Sequence, residues 1–176
     1  MNIPKPGAHF DQLLRQTRWH HVQLSTTADM KANMMLTVPA LLITLTTRYV
    51  TEEPFKWAAL TLIGFCLVTI GLAAYAAMPK LKLKRALKDP VSTGNPSFNL
   101  LFFADFIRLS YPEYEEAMEE VLSDPAKAYE VQVRELYGLG MYLAKRKFRF
   151  VRLAYVSFIA GFIASATVFV LTELVR

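Results

Sequence analysis

The sequence predicts an all-α membrane protein with three transmembrane helices, two of them continuous with a cytoplasmic helical bundle. Three observations lead there. Hydrophobic residues make up 53% of the chain, above the ordinary soluble balance, and the excess is gathered in three uncharged blocks. Two of the blocks follow amphipathic segments with no helix breaker at the junction. Cationic residues crowd beside the blocks, as they do where charge fixes orientation in a bilayer.

A chain of 176 residues suits one small membrane module. Residues 1–8, with Pro4, Pro6 and Gly7, read as a disordered start, and 9–176 as a single helical membrane module. From His9 or Phe10 an amphipathic helix begins: Phe10, Leu13, Leu14, Thr17, His21, Leu24 and Ala28 fall along one side, with Arg15, Arg18 and Lys31 off it. It enters a first span over 32–50, where Pro39 is expected to kink the helix rather than end it. Arg48, near the end of that span, can extend its charge outward. No secretory signal peptide is expected, because the apolar block begins only at Ala32 and no small-residue cleavage site follows.

Thr51 to Pro54 is a short acidic turn. The second span covers 57–78, and its helix is expected to continue to about Lys88, with Leu81, Leu83 and Leu87 alternating with lysines at the membrane interface. Asp89 to Pro96 reads as a loop. Ser97 to Leu109 is expected to form a short helix with a wide apolar face of Phe98, Leu101, Phe102, Phe106 and Leu109. Ser110 and Glu113 make a capping-box pattern, and Glu115, Glu116, Glu119 and Glu120 form the solvated face of the helix it opens.

Asp124-Pro125 starts the longest helix, read as unbroken to about Thr172. Tyr129, Val133, Leu136, Gly140 and Leu143 give its first half one apolar stripe. Lys145, Arg146, Lys147, Arg149 and Arg152 form a basic collar before the third span, 153–172. At ~1.5 Å per residue this helix would be roughly 70 Å long. The cytoplasmic bundle is assigned to 9–31 and 79–152, its four helices being the two stalks and the two short helices between them.

Both long helices run from cytoplasm to exterior by the positive-inside rule, which places the N-terminus and 79–152 inside and the acidic turn and Arg176 outside. Levelling Lys31 with Arg149 sets Asp29 opposite Lys147 and Trp19 opposite Tyr137. An ion pair between Asp29 and the collar lysines would hold the stalks in register. Arg15, Arg18, Trp19, Arg134 and Tyr137 could gather at one level, and cations beside aromatic faces suit a phosphate joined to a base. Exposed arginines and ordinary core aromatics account for the same residues. In the third span Ser157, Gly161 and Ser165 are small residues four apart, open to packing within the chain or between subunits.

The net charge of +5 lies largely beside the spans, where it fixes topology and meets anionic headgroups, so no nucleic-acid partner is expected. Cys66 is the lone cysteine and excludes an internal disulfide or cysteine metal site. His20 and His21 point to different sides of a helix, and with His9 they form no metal-ligand pattern. There is no phosphate-cradling glycine loop or nucleophile elbow. No metal, no cofactor and no enzymatic activity are expected.

Ala28-Asp29-Met30-Lys31-Ala32 before the first span, Asn99-Leu100-Leu101-Phe102-Phe103 followed by Tyr111 to Tyr114, and Leu136-Tyr137-Gly138-Leu139 running on through Lys145 to Arg152-Leu153-Ala154 together resemble the transmembrane effectors of Pycsar, the pyrimidine cyclase system for antiphage resistance. The resemblance runs from about Trp19 to Val170. It implies a protein of the bacterial inner membrane that responds to cyclic CMP or cyclic UMP made by a partner nucleotide cyclase, with loss of membrane integrity and arrest or death of the infected cell. Within that reading Arg15, Arg18, Trp19, Arg134 and Tyr137 are the candidate ligand residues. Asp29, Lys31, Asn99 and Lys147 are structural or gating residues, and a homo-oligomer in the lipid bilayer is expected. The alternative is a non-gated membrane anchor or scaffold whose helical head binds a cytoplasmic protein, through an apolar patch formed by Phe98, Phe102 and Phe106.

Overall fold

The structure, a computed structural model, describes residues 7–78 and 98–175. Helix α1 covers Ala8–Thr46 and passes through Pro39 without ending; a 3-10 helix, Thr47–Thr51, follows. Helix α2 covers Lys56–Ala77, α3 Phe103–Phe106, α4 Tyr111–Ser123 and α5 Pro125–Tyr142. A π-helical turn, Leu143–Lys147, leads directly into α6, Phe148–Leu174. The expected extension of the second helix to Lys88 and the loop Asp89–Pro96 lie outside the described residues, as do residues 1–6 of the expected disordered start. Ala8 already belongs to α1.

Among the described residues, three helical stretches are long and apolar enough to cross a membrane: Ala8–Thr51, Lys56–Ala77 and Pro125–Leu174. The described residues fall into two compact units, one within Met1–Gln23 and Pro79–Met141, the other within Leu24–Met78 and Tyr142–Arg176.

The second unit has its small side chains inside. Ala32 of α1, Ala76 of α2 and Val151 of α6 form one buried cluster, and Met35, Ala73 and Ala154 from the same helices form the next. Leu41, Leu60, Leu67, Ile159 and Ile163 are exposed. Lipid tails are as apolar as leucine, so burying large aliphatics gains little in a bilayer, whereas small residues let backbones approach and increase dispersion contacts. Threonine hydroxyls are satisfied within their own helices: Thr44 donates to Ala40 O, Thr61 to Trp57 O, and the fully buried Thr69 to Phe65 O at 2.8 Å. That bond removes the cost of an unpaired hydroxyl in an apolar environment.

The first unit has a slighter core. Leu14 of α1 packs with Tyr129 and Leu136 of α5, joined by Phe10. Tyr129 Oη donates to Asp11 Oδ1 at 2.6 Å, and His21 lies where a Cβ on Gly140 would come within 3.3 Å of its ring. Val133 and Leu13, expected on the apolar stripes, are exposed. Part of the expected four-helix bundle, residues 79–97, lies outside the described residues. This cluster draws only on α1 and α5, and α4 buries no residue.

Over 98–109, the described part of the helix expected at Ser97–Leu109, the α-helix is the single turn of α3. Asn99 Oδ1 accepts from the Leu101 N–H at 3.0 Å while its own backbone N–H donates to Asp105 Oδ2 at 3.1 Å. Such side-chain bonds offer the backbone an alternative to the helical ladder. Phe98 and Leu100 are buried there. The Ser110 backbone N–H and hydroxyl both donate to Glu113 Oε2 at 2.7 Å, closing the capping box that opens α4. Those two bonds hold the Glu113 carboxyl below its ordinary range.

Candidate functional site

The polar face shared by α1 and α5 in the first unit holds a depression of about 340 Å³, within the range of small-molecule sites. Leu14 and Leu136 line it, and Asp11, Arg15, Arg18, Gln132 and Glu135 surround them. Helical periodicity explains the set. Asp11, Leu14, Arg15 and Arg18 recur at three- and four-residue steps on α1, as Gln132, Glu135 and Leu136 do on α5. A larger groove of about 780 Å³ lies by Glu53, Pro54, Trp57 and Leu171 in the second unit. Its predominantly apolar wall offers little to a charged ligand.

Charges in the depression are matched. Arg18 Nη2 meets Glu135 Oε1 at 3.1 Å, the arginine side chain 58% exposed and the glutamate only 12%. Asp11 accepts from Tyr129. That bond, with burial and the carboxylate's charge behind it, pushes the Tyr129 phenol above its ordinary value and keeps it a donor.

Of the five candidate ligand residues, Arg15 and Arg18 line the depression and three do not. Trp19 is 62% and Tyr137 69% exposed, and Arg134 Nη2 turns back to Glu130 Oε1 on its own helix at 3.0 Å. Trp19 follows Arg18, Tyr137 follows Leu136 and Arg134 precedes Glu135, and a step of one residue turns a helical side chain by ~100°. Asp11, Gln132 and Glu135 were missed, although Asp11 stands three residues before Leu14, Gln132 four before Leu136 and Glu135 directly before Leu136.

In the second unit Lys147 Nζ donates to Asp29 Oδ2 and to Ser25 Oγ, each at 2.7 Å. Its side chain is 9% exposed and that of Asp29 47%. Lys31 is exposed. The π-helical turn ends at Lys147, and the Phe148 N–H reaches back to Leu143 O. Leu143 and Lys147 are both buried on that turn. In α6, Gly161 sits against Phe65 of α2, and Ser165 Oγ donates to Ala58 O at 2.9 Å. These two small residues therefore pack within the chain, while Ser157 is half-buried.

The helices and the three candidate spans among the described residues define an all-α membrane protein. The chain belongs to the Pycsar effector family: the Pycsar effector protein domain matches residues 12–172. It is an antiphage Pycsar effector, an effector rather than a cyclase, located at a membrane and working within a cyclic nucleotide system. No curated protein and no solved structure matches it.

Proposed function

We propose that this effector senses a cyclic pyrimidine nucleotide, cyclic CMP or cyclic UMP, through its first unit and disrupts the integrity of the bacterial inner membrane, arresting or killing the infected cell. The observation that carries this reading is the depression with Arg15 and Arg18 on one wall and leucines beneath. Two guanidinium groups suit a phosphate, and an apolar floor suits a base. Helix α1 has residues in both units, and so has the helical stretch from α5 to α6. Hydrogen-bonded backbone is thus available to carry a change from the ligand to the spans. Moving such an equilibrium from mostly closed to mostly open takes ~5 kcal/mol of differential affinity. Asn99, with both its backbone N–H and side chain committed, serves a structural role, as Asp29 and Lys147 do. A homo-oligomer and a partner nucleotide cyclase complete the proposed system.

The anchor reading needed an apolar patch at Phe98, Phe102 and Phe106. Phe98 is buried and Phe106 packs on Tyr114 at 5.2 Å, leaving Phe102 exposed.

Dye-loaded proteoliposomes distinguish the readings. Addition of cyclic CMP or cyclic UMP should release the dye from vesicles holding the wild-type chain, and an R15A/R18A double variant should need at least tenfold more nucleotide. If neither nucleotide binds or causes leakage, sensing by this protein is ruled out.

A further inference from the structure

We infer that the depression prefers cytosine to uracil, and that Glu135 sets the preference because it loses its cation when a phosphate arrives. This rests on the reading that the site holds a cyclic pyrimidine nucleotide. The two members of the Arg18–Glu135 pair are unequally placed. Arg18 is 58% exposed, while Glu135 at 12% sits where little water reaches it.

A cyclic nucleotide brings one phosphodiester charge. Arg15 and Arg18 are the cations lining the depression, and a guanidinium fork meets phosphate oxygens with two parallel bonds. Once Arg18 turns to the phosphate, the Glu135 carboxylate is left without its partner. The other carboxylate, Asp11, already accepts from Tyr129 at 2.6 Å. A poorly hydrated carboxylate must find a donor or bear the full cost of desolvation.

Cytosine carries an exocyclic amine that donates, the group that glutamate and aspartate accept from in base recognition. Uracil carries a carbonyl oxygen at that position and would set acceptor against acceptor. Gln132, also lining the depression, can present either end of its amide and so serves both bases alike. One hydrogen-bonded discrimination of this kind corresponds to roughly ten- to hundredfold in affinity.

The test measures binding of cyclic CMP and cyclic UMP to the full chain in nanodiscs, by calorimetry, for the wild type, Glu135→Gln and Gln132→Ala. Cyclic CMP should bind at least tenfold tighter to the wild type. In Glu135→Gln, whose amide can donate to uracil, the ratio should fall below about threefold, whereas Gln132→Ala should weaken both nucleotides and leave the ratio unchanged. Equal or tighter binding of cyclic UMP to the wild type overturns the inference, and so does an unchanged ratio in Glu135→Gln. In either case the proposed nucleotide sensing stands. Absence of binding by both nucleotides overturns the sensing itself.

Discussion

At Lys147 an ammonium only 9% exposed meets a carboxylate, Asp29, that keeps 47% of its side-chain surface in contact with its surroundings. The pair is asymmetric in what its loss would leave behind. Asp29→Ala would strand a buried cation with Ser25 as its remaining acceptor, and should destabilise the protein by about 1–3 kcal/mol, below the fully buried case because one partner is half exposed. Asp29→Asn keeps an acceptor and should fall between that variant and the wild type. Lys147→Met fills the same space with an apolar chain and leaves Asp29 able to hydrate, so its cost should stay under about 1 kcal/mol. Denaturant unfolding of the three variants in detergent gives the ranking. A Lys147→Met protein as unstable as Asp29→Ala would mean that the carboxylate, not the ammonium, depends on the pair.

Helix α6 owes its approach to α2 to one position. A Cβ placed on Gly161 would lie 2.5 Å from Phe65 Cβ, a separation that neither backbone can keep. Gly161→Ala should therefore destabilise the protein by about 1–3 kcal/mol as the helices part, and Phe65→Ala should not rescue it, because the clashing atom is Cβ itself. Gly71→Ala on α2 meets nothing within 4 Å and serves as the control, expected to be neutral or stabilising through helix propensity. Unfolding temperatures in one detergent measure both. The close contact at Gly161 was legible in the sequence as small residues four apart, but its partner was not, since the same spacing serves contacts within or between chains. The Asp29–Lys147 contact was legible for a firmer reason. Rise per residue fixes depth, and the separation of 118 recurs between Asp11 and Tyr129. Rotation about the axis is a second coordinate that depth does not supply, which is why Trp19, Arg134 and Tyr137 were grouped with Arg15 and Arg18 yet do not line the depression. The π-helical turn at Leu143–Lys147 has no signature in residue type, for leucine, alanine, lysine and arginine all favour an ordinary helix.

For the molecule as a whole, the second unit leans toward the inverse of a soluble core, with Ala32, Ala73, Ala76, Thr69 and Gly161 buried while Leu41, Leu60, Leu67, Val156, Ile159 and Ile163 are exposed. Such a surface needs hydrocarbon around it, consistent with the membrane location of the family. What it does not specify is which end faces the cytoplasm, because apolar packing is the same either way up. Orientation has to come from charge. Glu52 and Glu53 stand between the first two spans, while Lys145, Arg146, Lys147, Arg149 and Arg152 stand at the start of the third. Lysine and arginine beside spans are retained in the cytoplasm, whereas acidic residues contribute little. The expected topology thus has Glu53 outside and Lys145 inside. Cys66, the lone cysteine, is 1% exposed, so Cys66→Ala supplies a background for single-cysteine labelling. With a membrane-impermeant maleimide on intact cells, Glu53→Cys should label at once. Lys145→Cys, at an exposed position, should label only after the membrane is permeabilised. The opposite pattern would put the depression between α1 and α5 on the wrong side of the membrane to meet a nucleotide made in the cytoplasm, and would end the proposed sensing role without touching the fold.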